Sequence, residues 1–157
     1  MVIVEYLDYN CPYCKKFAPA LEGLLAEDRG VRVIYKDWPI LGEVSRYAAQ
    51  AALAARWQDK YLQAQKALMA GPRYSATGDV DAVLRQAGID MQRLEADRRQ
   101  HAREIDALLA RNDDETRALG VRGTPGIIVG RQLLPGITDL SGLKILVQRS
   151  RRERAAS

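Results

Sequence analysis

The chain's only two cysteines are separated by two residues, in Cys11-Pro12-Tyr13-Cys14, where one hydrophobic periodicity stops and another starts. Before them, Val2-Ile3-Val4-Glu5-Tyr6-Leu7 is short and rich in β-branched and aromatic residues, the composition of a strand. From Cys14 onward, Phe17, Leu21 and Leu24 recur at helical spacing. Asn10 is placed to cap that helix, and Pro12 falls in its first turn, where no intrahelical N–H bond is lost. The cysteines are therefore expected at a helix N-terminus, where unpaired N–H groups and the helix dipole favour negative charge and lower a thiol's pKa. Cys11 is the expected thiolate, open to reactants, and Cys14, heading the apolar row, is expected to turn inward. Glu5 shares a strand face with Ile3 and Leu7, and reads equally as a water-facing carboxylate or as one buried beneath the cysteines.

Val31 to Lys36 supplies a second strand, so strand, helix and strand make a right-handed βαβ unit with parallel strands. The loop Asp37-Trp38-Pro39-Ile40-Leu41-Gly42 then lies at the cysteine end of the sheet, with Trp38 reading either as rim or as core. From Glu43 to Leu119 the pattern is helical: Val44 to Trp57, Lys60 to Met69, Asp79 to Ala87 capped by Thr77, and a helix from Met91 capped by Asp90. A last stripe runs through Ala102, Ile105, Leu109, Asn112, Thr116 and Leu119. Gly126 to Val129 and Gln132 to Leu134 form a hairpin about Gly130-Arg131, and Asp139 caps an apolar final helix that covers the sheet. With the helical block set aside, a four-stranded sheet with flanking helices remains, and C-x-x-C after its first strand reads as a thioredoxin-like redox motif.

A chain of 157 residues suits one domain, or a small domain carrying an insertion. No apolar run is long enough to span a bilayer, so no membrane insertion is expected. The net charge of +4 is dispersed except at Arg149, Arg151, Arg152 and Arg154, which read as a frayed, solvated basic tail over 151–157 and not as a nucleic-acid site. Both cysteines are committed to one motif, which leaves no separate structural disulfide. Met1 runs straight into the first strand, so the chain is expected either to be cytoplasmic or to have lost an export leader.

Three separated stretches, Val4 to Cys14, Lys36 to Gly42 and Gly120-Val121-Arg122-Gly123-Thr124-Pro125, resemble those of the DsbA-like thiol-disulfide oxidoreductases, nearest the DsbG- and ScsC-type branch. The resemblance covers Val2 to about Val147. It implies an α/β thioredoxin fold, with a discontinuous thioredoxin-like domain over 1–41 and 120–150 and an inserted helical domain over 42–119. By the same resemblance Cys11 is the nucleophile, Cys14 the resolving thiol and Glu5 a buried acid. Pro12 and Tyr13 tune the couple, and Thr124 with a cis Pro125 contacts substrate. The implied activity is a dithiol oxidase acting on protein substrates, reset by a redox partner protein and located in the periplasm or otherwise exported. A reductase or isomerase would use the same residues. No cofactor is implied.

A different class of function, a Cu(I)- or zinc-binding protein, would rest on Cys11 and Cys14. A tetrahedral zinc site wants four ligands, and the sole histidine, His101, stands without a paired ligand in the helical block, where it reads as a solvated helix residue.

Overall fold

The central strand, β1 (Val2–Leu7), is flanked by partners that run in opposite senses. In this computed structural model, which describes residues 1–156, β2 (Arg32–Asp37) pairs parallel with β1 and sets Glu5 beside Tyr35 and Leu7 beside Asp37. On the other edge β3 (Gly126–Val129) pairs antiparallel, and β4 (Gln132–Leu133) closes the hairpin, giving the order β2-β1-β3-β4. Between β1 and β2 runs α1 (Pro12–Glu27), and α7 (Leu140–Ala155) follows the hairpin. Both helices lie on one face of the sheet, where Phe17, Leu21, Leu24, Leu143 and Val147 bury against Ile3, Ile127 and Val129. The result is the four-stranded mixed sheet of a thioredoxin-like fold, as the sequence pattern implied.

Between β2 and β3 stand α2 (Glu43–Ala54), a 3-10 turn (Ala55–Gln58), α3 (Tyr61–Ala70), α4 (Thr77–Gln86), α5 (Met91–Gln100) and α6 (Ala102–Leu119). Small side chains at Ala48, Ala51, Ala52 and Ala54 let α2 lie close to its neighbours, and Leu68, Leu84, Leu94, Ile105 and Leu109 fill the space among them. This second core is continuous with Leu7, Tyr9, Cys11 and Cys14. The turn that carries the cysteines is thus packed against the helical block while the helix that follows it is packed on the sheet. Gly120 ends α6 at φ 70, a left-handed geometry that a Cβ would disfavour, and directs the chain back to the sheet.

Four local expectations are corrected. Asn10 does not cap α1: Cys11 holds the cap position, and the Asn10 amide pairs with the Tyr74 backbone. Thr77 is likewise inside α4, whose start is secured by the Asp79 carboxylate accepting from the Ser75 and Ala76 amides. His101 is not simply solvated, since its ring stacks on Trp57 at 3.8 Å between centroids. The basic end is helical up to Ala155, with Arg151 donating to Asp28 at 2.7 and 3.0 Å; Ser157 lies outside the described residues. Asp90 and Asp139 cap α5 and α7 as expected, at 3.0 and 2.8 Å. In α6, Ile105, Leu109, Asn112 and Thr116 are buried, whereas Ala102 and Leu119, at its ends, face solvent.

Candidate active site

The end of β1 turns sharply into α1, and the turn is held by backbone: the Cys11 N–H donates to the Asp8 carbonyl at 3.0 Å. Cys11 then occupies the helix N-cap with extended dihedrals, and Pro12 follows at the first helical position. Both thiols are free. Cys14, one turn on, is fully buried with Phe17, Leu21 and Leu24 along the inward face of α1. Cys11 is more enclosed than the expected open thiolate: it retains 4% exposure, packed on the helical block's core and lying against the Thr124–Pro125 loop. In its protonated form its thiol donates to the Thr124 carbonyl at 3.1 Å, and the Thr124–Pro125 peptide is cis.

Donors surround the Cys11 sulfur. The Cys14 thiol, the Thr124 side chain and the backbone N–H groups of Cys14 and Tyr13 all favour its ionised form, outweighing burial, and hold its pKa down to about 6. Cys14 moves the other way: burial is the main cause, its hydrogen bond to Cys11 adds to it, and the thiol is kept protonated far into the alkaline range. A pair so polarised has one sulfur ready to act as nucleophile or leaving group and one that holds its proton.

Glu5 lies below, on the β1 face covered by α1. It is buried, one carboxyl oxygen has no hydrogen-bond partner, and burial, with a smaller contribution from the Cys11 charge, pushes its pKa up to about 8. Of the two readings left open by its strand position, burial is the one found. A carboxyl group that is neutral near pH 7 and close to a reacting sulfur can give or take a proton. Lys15, next to Cys14, is also desolvated; burial lowers its pKa to about 8, and its ammonium donates to the Leu68 carbonyl at 2.8 Å and lies 4.8 Å from the Tyr74 ring centroid.

Tyr13 is 61% exposed at the mouth. Beside it a groove of about 480 Å³ runs along Thr124 and Pro125 to Leu133, Leu134 and Ile137. Gly126 is needed here, because a Cβ would come within 2.5 Å of the Val121 side chain. The structure therefore brings Cys11, Cys14, Glu5, Pro12, Tyr13, Thr124 and Pro125 to one end of the sheet. Trp38 belongs to the core side of this region: it is buried, its indole N–H donates to Asp113 at 2.9 Å, and its ring meets Tyr6 edge-on. Sequence reading passed over Asp8, Asn10 as a tie to Tyr74, and Lys15; only the position of Asp8 three residues before Cys11 offered a signal. Among the described residues, no group of three or more His, Cys, Asp or Glu is placed to hold a metal ion, and no helix is long and apolar enough to cross a membrane.

Comparison with known proteins adds to this geometry. The model of the DSBA-like thioredoxin domain matches residues 2–148. A thioredoxin-like oxidoreductase from Silicibacter pomeroyi superposes with a TM-score of 0.90 at 40% identity, covering 96% of this chain and 86% of that one. The catalytic domain of Proteus mirabilis ScsC gives 0.82 at 32% identity, over 95% and 82%. The thiol-disulfide exchange protein α-DsbA2 from Wolbachia pipientis gives 0.87 at 29%, over 94% and 80%. A curated relative, a Na(+)/H(+) antiporter NhaA 3 from Salinispora tropica, is 28% identical over 152 residues, which is 94% of this chain and 22% of that protein. The chain thus spans about a fifth of the length of the curated relatives it matches.

Proposed function

Because the chain belongs to the DSBA-like thioredoxin domain family, we propose that it exchanges a Cys11–Cys14 disulfide with cysteines of protein substrates, acting as a dithiol oxidase. The observation that carries this reading is the asymmetry of the pair: Cys11 in a ring of donors at the helix mouth, against Thr124, and Cys14 sealed beneath it. A substrate thiolate attacks the Cys11 sulfur of the oxidised protein, the Cys11–Cys14 bond breaks, and Cys14 leaves, taking a proton that Glu5 can supply. The second substrate thiolate attacks the substrate sulfur of the mixed disulfide and expels Cys11 as a thiolate. The substrate has then lost two electrons and the protein holds two thiols, which a redox partner protein reoxidises.

Roles follow from position. Pro12 and Tyr13 shape the approach to Cys11, and Thr124 and Pro125 offer backbone to an extended substrate segment, with the adjacent groove taking an apolar side chain. Residues 1–41 and 120–150 form the thioredoxin-like domain, and 42–119 the inserted helical domain that backs the cysteine turn. The periplasm or another exported, oxidising location fits such an activity.

The same donors support the oxidase direction. They stabilise the reduced form, in which Cys11 is a thiolate, and have no such hold on the disulfide, so the pair is an oxidant. Equilibration with glutathione buffers tests this. The expected reduction potential lies above roughly −180 mV, and a value near −270 mV, typical of reductants of this fold, would replace the oxidase reading with the reductase one.

A further inference from the structure

Asp8 is 1% exposed and carries more polar contacts than any of the cysteine-turn residues the sequence singled out. One carboxylate oxygen accepts from the Asn10 N–H at 2.8 Å and the Ser45 hydroxyl at 2.7 Å. The other accepts from the Ile40 and Leu41 N–H groups at 2.8 and 3.0 Å. Its own carbonyl receives the Cys11 N–H, and its N–H is directed at the Cys14 sulfur. All four side-chain partners donate, so the group works as an acceptor only, as a carboxylate does. These contacts join three separate elements: the turn into α1, the loop after β2, and the first turn of α2. The loop ends in two exposed apolar side chains, Ile40 and Leu41, whose backbone N–H groups both point to the Asp8 carboxylate.

We propose that Asp8 is a positioning residue whose buried carboxylate clamps the Cys11 turn to the Ile40–Leu41 loop and to α2, and thereby holds the Cys11 sulfur among its donors. This rests on the reading of Cys11 as the nucleophile. The clamp acts through Asn10: its N–H fixes the turn, and its side chain is in turn locked on Tyr74 at 2.8 and 3.0 Å. An asparagine at position 8 has one acceptor oxygen where the carboxylate has two, so its amide group faces donors on one side and that half of the clamp opens.

The two ways in which Asp8 can influence Cys11 have opposite signs, which makes the test decisive. If Asp8 acted only as a nearby negative charge, Asp8→Asn would lower the Cys11 pKa. If it positions the turn, the same change raises it. The reduced full-length protein is alkylated across pH, with amide exchange followed at Ile40 and Leu41. Asp8→Asn is expected to raise the midpoint of Cys11 alkylation by about one unit, a tenfold change in its ionisation constant, and to speed exchange of both amides at least about tenfold. Ser45→Ala, which removes one donor of four, is expected to shift the constant by about threefold in the same direction. A folded Asp8→Asn with an unchanged or lowered midpoint overturns the proposal. Should that variant not fold, an unshifted midpoint in Ser45→Ala overturns it. Oxidation of a cysteine peptide by the wild type reports on the proposed function separately, since the alkylation profile reads Asp8 whether or not turnover is found.

Discussion

Cys11 and Cys14 stand one helical turn apart, yet the mouth of α1 and its floor are different solvents. At the mouth, hydrogen-bond donors converge on a sulfur that lies against the Thr124 carbonyl and next to a groove. On the floor, Cys14 is fully buried and Glu5 has a carboxyl oxygen with no donor. The same thiol chemistry is therefore pushed in opposite directions over one turn: about 6 for Cys11, and far above the ordinary thiol value for Cys14. Burial alone does not decide the sign, because Cys11 is itself mostly enclosed. What decides it is whether donors accompany the burial.

The sharpest way to break this comparison is to remove the mouth sulfur. Cys11→Ser is expected to lower the rate of exchange with a disulfide-bonded peptide by at least about a thousandfold, while Cys14→Ser keeps the Cys11 thiolate that attacks that disulfide. The second variant is expected to accumulate a mixed disulfide as the peptide's other sulfur leaves as a thiol, visible by mass spectrometry as one substrate adduct on Cys11. If Cys11→Ser accumulates that adduct on Cys14, mouth and floor have been assigned the wrong way round.

A smaller effect probes the floor. The Glu5 pKa rises from 4.5 to about 8 on folding, so its contribution to stability is fully present below pH 4.5 and is lost as pH climbs through 8. Cys11 has the opposite sign: its contribution to the reduced form is present above pH 9 and is lost as pH falls through about 6. Glu5→Gln abolishes only the first of these. Denaturant titrations of the reduced variant at pH 5 and pH 8 are expected to give a pH 8 stability higher by about 2 to 4 kcal/mol relative to wild type, after the pH 5 difference is subtracted. An unchanged pH slope would mean that Glu5 is not a titrating floor residue.

The smallest expected effect lies at the rim. Tyr13→Ala removes an exposed ring from the groove without touching the donors of Cys11, since the Tyr13 backbone N–H is retained. The KM for an apolar cysteine peptide is expected to rise by about two- to fivefold with the Cys11 alkylation midpoint unmoved. A moved midpoint would tie the rim to the chemistry of the mouth.

Much of this site was legible because its signals are local. The strand, the proline at the first helical position and the row from Cys14 to Leu24 lie within 23 consecutive residues, and the helix mouth follows from them alone. The parallel register of β1 and β2 follows from the crossover through α1. What escaped reading depends on partners far along the chain. Asn10 has the chemistry of a cap, but its amide finds both a donor and an acceptor on Tyr74, and a paired buried amide outweighs one terminal N–H. Asp8 was passed over because three of its four donors come from residues 40, 41 and 45. The carbonyl against which Cys11 lies belongs to Thr124, 113 positions later. Trp38, readable as rim or core, is settled by an aspartate 75 positions away.

The ionisation of the mouth sulfur, measured by itself, bears most directly on all of this. Reduced protein is pulsed with a small alkylating agent across pH 4 to 10 and the modified cysteine is located by mass spectrometry. The account predicts single modification at Cys11 with a midpoint near 6 and no reaction at Cys14 below pH 10. A Cys11 midpoint in the ordinary range near 8.5, or modification of Cys14 before Cys11, would contradict it.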